Sequence, residues 1–265
     1  MVLQRFNYLP NTLIETDRSP MTNLVALHNQ LHQGLRVDTQ SVEAYGGQLH
    51  MVPVVLSEFL KLAVQFPIAV TKNKETGQFV CVAIFGFQPG ENLFIKDARW
   101  DSLYLPLQIK RQPFFLGSAE GSADDYVICI DRTHKSLQAN SGEAIFDTQG
   151  NDTAYMQNIK AILAELVNGE AATQTFIKAL SDMQLLQAMH LDIKFNNGET
   201  IRVEGIYTVN EQRLRSLDKD DLFKLHNQDW LAPIYTMITS LGHIHGLVER
   251  KNKCIQDNQL KESYE

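Results

Sequence analysis

The chain has few cysteines, no long apolar run and no surplus of positive charge, and each shortage excludes a class of protein. Three cysteines in 265 residues cannot form the framework of a disulfide-stapled secreted domain. The longest apolar stretch, residues 79–87, is far shorter than the roughly 20 residues that a membrane-spanning helix needs. A net charge of −7 argues against binding to nucleic acid, whose phosphates attract basic surfaces. We therefore expect a soluble, cytoplasmic protein with no membrane insertion and no nucleic-acid partner.

Sequence motifs of the common catalytic and cofactor sites are also missing. The chain contains no Gly-x-Ser-x-Gly nucleophile motif, no phosphate-binding Walker loop and no Gly-x-Gly-x-x-Gly dinucleotide motif. His28 and His32 are spaced to share one face of a helix, as metal ligands can, but no third ligand stands nearby in the sequence. We therefore expect no cofactor and no metal, and a metal site at these histidines is the weakest functional hypothesis.

The patterning predicts an α+β fold in which the first 150 residues form a mixed body with a small, mostly antiparallel sheet. Apolar residues spaced three and four apart predict a helix over 24–35, and a second helix should end before Pro67. Segments 67–70 and 79–87 flank the turn-like residues 73–77 and predict a hairpin. Further strands are expected at 104–109, 114–116 and 126–130.

From residue 151 to 265 the pattern is mainly helical and carries one hairpin. Helices are expected at 154–167, 173–181, 211–217, 220–227 and 233–251. Segments 191–195 and 200–209 alternate around Asn196-Asn197-Gly198, so residues 191–209 should form a hairpin. The parts 1–150 and 151–265 are the predicted domains, although the two could also fold as one compact domain.

Aromatic residues concentrate between residues 85 and 115, which hold seven of the 23 in the chain. A hydrophobic centre is one interpretation, because aromatic side chains dominate protein cores. A binding pocket is the other, since apolar walls with a few polar groups are typical of ligand sites. The residues we select for such a ligand or partner site are Glu58, Asn92, Trp100, Tyr104, Arg111 and Asp131.

Several strings in this part of the chain are similar to the SapC family of bacterial proteins. They begin with Pro53, Glu58-Phe59 and Pro67-Ile68, continue with residues 90–94, and include Trp100, Tyr104 and Pro106. The string Lys110-Arg111-Gln112-Pro113-Phe114 stands where the family has Arg-Arg-Tyr-Pro-Phe, so one arginine and one tyrosine are replaced. Downstream matches include 129–131, 142–150, 185–186 and 205–207. The similarity runs from about His32 to Leu241.

The resemblance implies an accessory role rather than a defined reaction. The family is associated with bacterial surface layers, and its members also occur with flavin-dependent tryptophan-halogenase-like proteins and outer-membrane receptors. It implies handling or modification of a protein or a small molecule, and it supplies no catalytic residues.

Two functional hypotheses follow. In the first, the chain is a non-enzymatic accessory protein that holds a protein partner or a small ligand with the segment 85–115, where Arg111 and the aromatics are typical anchors of interfaces. In the second, it is an enzyme that modifies a peptide or an aromatic metabolite, with Glu58 or Asp131 as general base and Arg111 as an anion clamp. The sequence leaves the oligomeric state open.

Overall fold

Short antiparallel strands and hairpins alternate with helices, which confirms the predicted α+β class. The computed structural model describes residues 7–8, 23–73, 76–97, 99–118, 126–138 and 140–262. In chain order, the strands are β1 (Asn7–Tyr8), β2 (Leu24–Ala26), β3 (Arg36–Val37), β4 (Met51–Pro53), β5 (Ile68–Lys72), β6 (Phe79–Ile84), β7 (Ile95–Lys96), β8 (Arg99–Trp100), β9 (Phe114–Ser118), β10 (Tyr126–Asp131), β11 (Leu137–Gln138), β12 (Glu143–Ala144), β13 (Leu186–Lys194) and β14 (Thr200–Val209). The α-helices are α1 (Thr39–Tyr45), α2 (Phe59–Leu62), α3 (Leu107–Lys110), α4 (Ala154–Asp182), α5 (Glu211–Arg215), α6 (Lys219–Asn227), α7 (Leu231–Ser240) and α8 (His243–Glu262).

The chain divides into two compact units, each built from separate segments. Unit 1 comprises the described residues of Met1–Gly47, Ile95–Asp101 and Leu105–Asn168. Unit 2 comprises those of Gln48–Phe94, Ser102–Tyr104 and Gly169–Glu265. The division into domains 1–150 and 151–265 stays a prediction about which parts fold on their own.

Unit 1 contains small antiparallel sheets. The largest has the order β1-β9-β10-β2, and β3 lies between β11 and β12 in another. The N-terminal half of α4 contributes one apolar face to the buried core, formed by Met156, Ile159, Leu163 and Leu166. These residues recur three and four apart, as predicted for an amphipathic helix.

Unit 2 is organised around a five-stranded antiparallel sheet with the order β13-β14-β5-β6-β4. Both predicted hairpins, β5–β6 and β13–β14, are confirmed. The pairing of β13 with β14 is interrupted by a bulge between Met189 and Leu191, opposite Gly205, whose φ of +79° suits glycine. Phe66, Phe85 and Phe94 pack edge-to-face within the core of this unit.

Three predicted elements are wrong. Residues 24–26 form a strand paired with β10 rather than a helix over 24–35, because pairing with a distant strand overrides the local spacing. Residues 104–109 do not form the predicted strand. The chain passes through Pro106 into α3, in keeping with the tolerance of proline at helix starts. The predicted helix 233–251 is divided into α7 and α8 around Gly242.

Helix α4 also differs from the sequence prediction, which placed two helices at 154–167 and 173–181. The structure has one continuous helix of 29 residues. Gly169 lies in its middle, and a Cβ there would stand 2.8 Å from Cβ of Val55. The glycine therefore allows a close approach of chain segments and does not end the helix.

None of the described helices combines the length and the apolar character that crossing a membrane requires.

Candidate functional site

Glu58 is a fully buried carboxylate at the start of α2 in unit 2. Its Oε2 accepts a hydrogen bond from the backbone N–H of Val55 over 3.3 Å, and its Oε1 accepts one from the Tyr104 hydroxyl over 3.1 Å. The Lys61 ammonium lies 5.7 Å from the centre of the Tyr104 ring, within the range of a cation–π interaction. The structure thus brings together two of the predicted site residues, Glu58 and Tyr104.

A groove of about 530 Å³ lies beside this pair and is formed by α2, α4 and α7 of unit 2. Its volume falls within the roughly 300–1,000 Å³ of typical ligand sites. Ser57 and Phe59, the residues on either side of Glu58, belong to its wall. We call it the Trp230 groove; its lining residues are Leu56, Ser57, Phe59, Leu60, Ala172, Thr175, Gln228, Asp229, Trp230, Ala232, Pro233 and Thr236.

The lining of the Trp230 groove combines one large aromatic residue with many small ones. Trp230 is half-buried, and its ring meets Phe176 edge-to-face at 6.2 Å between ring centres. Small side chains, which include Ser57, Ala172 and Ala232, leave room for another backbone to come close. Leu60 stands at this groove with 73% of its surface exposed. The arrangement offers an aromatic anchor, an open apolar side chain and a shallow small-residue wall.

A second cavity of unit 2 is smaller, about 230 Å³, and lies between the β13–β14 hairpin and α8. It is mainly apolar, and Arg202 and Glu204, which face it, already form an ion pair at 2.7 Å. It falls below the typical size range of ligand sites, so the Trp230 groove is the stronger candidate.

Trp100 belongs to unit 1, where it packs against the end of α1. Its Nε1–H donates to the carbonyl oxygen of Glu43 over 2.8 Å. A Cβ at Gly46 would stand 2.6 Å from Cζ2 of the indole, so the ring occupies the space that a larger residue would need. Trp100 is half-buried, and a role in binding a ligand or partner stays a prediction.

Arg111 is also in unit 1 and is 2% exposed. Its Nε–H donates to Oε1 of Gln108 and one terminal nitrogen donates to the carbonyl oxygen of Phe114, both over 2.7 Å. The guanidinium stacks 4.3 Å from the centre of the Phe115 ring. Burial lowers the pKa of Arg111 to about 10, which still leaves the group charged at neutral pH. The role of Arg111 as an anion clamp stays a prediction.

Asp131 and Asn92 both stabilise local turns. In unit 1, Oδ1 of Asp131 accepts hydrogen bonds from the backbone N–H and the hydroxyl of Thr133, over 2.9 and 2.7 Å. In unit 2, Oδ1 of Asn92 accepts one from the backbone N–H of Phe94 over 2.9 Å. Such turns are a common task of Asp and Asn side chains, and further roles for both residues stay predictions.

The aromatic segment 85–115 supplies mainly core residues. Five of its seven aromatics are buried: Phe85, Phe87, Phe94, Phe114 and Phe115. Trp100 and Tyr104 are half-buried. The predicted site residues are distributed over both units, with Glu58, Asn92 and Tyr104 in unit 2 and Trp100, Arg111 and Asp131 in unit 1.

The histidine pair of the metal hypothesis lies in a turn of unit 1 rather than on a helix. The backbone N–H of His28 donates to Nδ1 of His32 over 2.9 Å. Throughout the part of the chain that the structure describes, no group of three or more His, Cys, Asp or Glu residues is arranged to hold a metal ion.

Sequence reasoning missed the Trp230 groove. Trp230 is one of two tryptophans in the chain and follows the predicted helix 220–227, which is a weak signal for an anchor residue. The other walls come from positions more than 50 residues away, so no local motif could have indicated them.

Comparison with known families and structures gives one match. The SapC family model matches residues 27–247, which is most of the chain and confirms the resemblance described above. No curated protein and no solved structure matches this chain.

Proposed function

The chain belongs to the SapC family, and we propose that it is a non-enzymatic accessory protein that binds a partner protein through the Trp230 groove of unit 2. The observation that carries this proposal is the groove itself: three helices line an open groove of about 530 Å³ beside a half-buried tryptophan and an exposed leucine. Tryptophan is enriched among residues that dominate binding energy at interfaces.

The occupant that fits this groove best is an amphipathic helix of the partner. Grooves between helices commonly receive the apolar face of such a helix. The small side chains of Ser57, Ala172 and Ala232 allow its backbone to approach, while Trp230 and Leu60 offer apolar contacts to its side chains. Tyr104 and Glu58 support the α2 wall from behind through their hydrogen bond.

Unit 2 carries most of the exposed large apolar side chains, which fits an interaction surface on this unit. Large apolar side chains in contact with water mark interaction sites when they cluster. Among the described residues, seven of the nine most exposed large apolar residues belong to unit 2; they are Leu60, Val64, Leu103, Leu222, Phe223, Tyr235 and Leu260.

The test is site-specific photo-cross-linking in the cells that make the protein. A benzophenone amino acid at Leu60 should cross-link to an apolar segment of a helix in one identified protein. The matched control is Leu31 of unit 1, which is 79% exposed against 73% for Leu60, and there we expect no such adduct. Adducts of equal yield at both positions, or to a small molecule alone, would overturn the proposal.

The partner and the compartment are further parts of the proposal. We propose a cytoplasmic protein that serves surface-protein assembly or a flavin-dependent halogenase-like system, as the family associations suggest. The three cysteines are free thiols, as is usual in a reducing compartment. The net charge of −7 supports a partner other than nucleic acid.

The enzymatic alternative depends on Glu58, a fully buried carboxylate hydrogen-bonded to a tyrosine. If Glu58 acts as a general base, Glu58→Gln should abolish turnover of a peptide or an aromatic metabolite while the protein still folds. If Glu58 instead supports the groove wall, Glu58→Gln should weaken binding of the partner helix only slightly. Loss of a measurable turnover in this variant would favour the enzyme.

A further inference from the structure

Strand β13 forms one edge of the five-stranded sheet of unit 2. Its only partner among the described strands is β14, so its outer edge is unpaired within the part of the chain that the structure describes. Nine residues make a long edge strand, and an open edge of this length is a template for another strand.

The backbone groups that face this open edge can be identified from the hydrogen bonds on the other side. The carbonyl oxygen of Leu185 accepts a hydrogen bond from the N–H of Asn210, and the N–H of Phe195 donates one to the carbonyl oxygen of Glu199. At both ends of the strand, therefore, the backbone groups of odd-numbered residues point toward β14. Because backbone groups alternate between the two edges of a strand, the even-numbered residues 186–194 present theirs outward.

The two faces of β13 differ in chemistry. Met189, Leu191 and Ile193 lie on the half-buried face, where Ile193 is 8% exposed. His190 and Asp192 lie on the other face and are exposed, as are Ala188 and Lys194. A second strand that pairs here therefore needs an apolar face and a face with complementary charges.

We propose that the occupant is β13 of a second copy of this chain, paired antiparallel about a two-fold axis at Leu191. In this register, His190 faces the partner's Asp192, and Asp192 faces the partner's His190. On the other face, Met189 meets the partner's Ile193, and Leu191 meets the partner's Leu191. Each of these central cross-strand pairs is then matched in polarity or charge, which favours stable strand pairing.

Neighbouring two-fold registers that also pair the outward residues are less favourable. An axis at His190 places that histidine opposite itself. An axis at Asp192 places that carboxylate opposite itself and sets His190 against the partner's Lys194. Two carboxylates directly opposite one another destabilise a strand pair, and neither of these two registers sets His190 against Asp192 as the axis at Leu191 does.

The first test is the oligomeric state of the full chain by sedimentation. A single pair of edge strands is a small interface, so we expect a dimer with a dissociation constant on the order of tens to hundreds of micromolar. Asp192→Lys removes the carboxylate from both His190–Asp192 pairs and should weaken dimerisation by about tenfold. The double variant His190→Asp/Asp192→Lys should restore it, because opposite charges face each other again.

Asp257→Lys on α8 is the matched control, since it makes the same charge change at an exposed position outside β13. Circular dichroism verifies that each variant folds, which matters because Asp192 also lies 3.8 Å from Arg202 on β14. A chain that stays monomeric at about 1 mM, far above the expected dissociation constant, overturns the proposal. So does a dimer that Asp192→Lys and Asp257→Lys affect equally.

The second test fixes the register by disulfide formation in a Cys254→Ser background. In this register Leu191 meets its own copy in a non-hydrogen-bonded pair, where Cα atoms are about 4.5 Å apart and a disulfide can form. Leu191→Cys should therefore give a covalent dimer on mild oxidation, whereas Met189→Cys should not, because it faces the partner's Ile193. Equal cross-linking of both variants, or none at Leu191, contradicts the proposed register.

Discussion

The hydroxyl of Tyr104 donates a hydrogen bond to Oε1 of Glu58 over 3.1 Å and so joins two residues that are 46 positions apart in the sequence. The other carboxylate oxygen holds the backbone N–H of Val55. Buried carboxyl oxygens need such donors, because a buried polar atom that loses a hydrogen bond costs free energy. The pair therefore fixes the start of α2, which forms one wall of the Trp230 groove.

Removing this hydroxyl should measurably destabilise the protein. We expect Tyr104→Phe to lower the free energy of unfolding by about 1–2 kcal/mol, because the buried carboxylate loses a donor. Urea unfolding followed by circular dichroism measures the change. Tyr235→Phe is the control, since Tyr235 is 56% exposed and its substitution should have little effect. Equal losses in both variants would contradict the role assigned to the pair.

Two helical glycines should respond in opposite directions to alanine. At Gly169 of α4 a Cβ would stand 2.8 Å from Val55, so Gly169→Ala should lower the free energy of unfolding by about 1–3 kcal/mol through overpacking. At Gly246 of α8 no atom lies within 4 Å of the added Cβ, and Gly246→Ala should raise it by about 0.5–1 kcal/mol. Thermal or urea unfolding of both variants measures these changes in the free energy of unfolding. Stabilisation by Gly169→Ala would show that α4 does not approach Val55 closely.

The three cysteines should differ sharply in reactivity. Cys254 is exposed, whereas Cys81 and Cys129 are buried. Burial raises the pKa of the Cys129 thiol to about 11 and also raises the pKa of Cys81, so neither forms much thiolate near neutral pH. A colorimetric thiol reagent at pH 8 should therefore modify one cysteine in the native protein and all three in denaturant. Fast modification of all three under native conditions would argue against the buried placement.

His32 should make the protein less stable in mild acid. Burial lowers the pKa of His32 below its usual 6.5, so the unfolded chain takes up a proton at higher pH than the folded one. The contribution to stability is complete above pH 6.5 and is lost as the pH falls from 6.5 through the lower pKa of the folded state. Replacing His32 with Gln should flatten the pH dependence of the free energy of unfolding between pH 7 and 5. The control is His226→Gln at an exposed position, which should leave the pH dependence unchanged. An unchanged pH dependence in His32→Gln would contradict the role given to His32.

Local turn chemistry and alternation made the hairpins predictable. Asn196-Asn197-Gly198 supplies a tight turn, and Gly198 has a φ of +88°, a conformation that glycine adopts easily. The predicted helix over 24–35 failed because Leu24–Ala26 pairs with β10, about 100 residues further along the chain. Spacing within a short window carries no information about such a distant partner strand.

The candidate site was predictable only in part, for the same reason. The SapC-like strings pointed to Glu58 and Tyr104, which do meet in the structure. The Trp230 groove combines residues 56–60, 172–175 and 228–236, which are brought together by packing of helices. A groove of this kind has no sequence signature, because each segment alone resembles an ordinary amphipathic surface.

The central claim, that the Trp230 groove binds a helix of a partner, is tested most directly by the affinity of the purified chain for the cross-linked segment as a synthetic peptide. Leu60→Glu adds a charge at the groove and should weaken binding at least about tenfold, which corresponds to roughly 1.4 kcal/mol. Leu31→Glu, the same change at an equally exposed site of unit 1, should leave the affinity unchanged. Binding that is insensitive to Leu60→Glu, or equally weakened by both substitutions, would contradict the account.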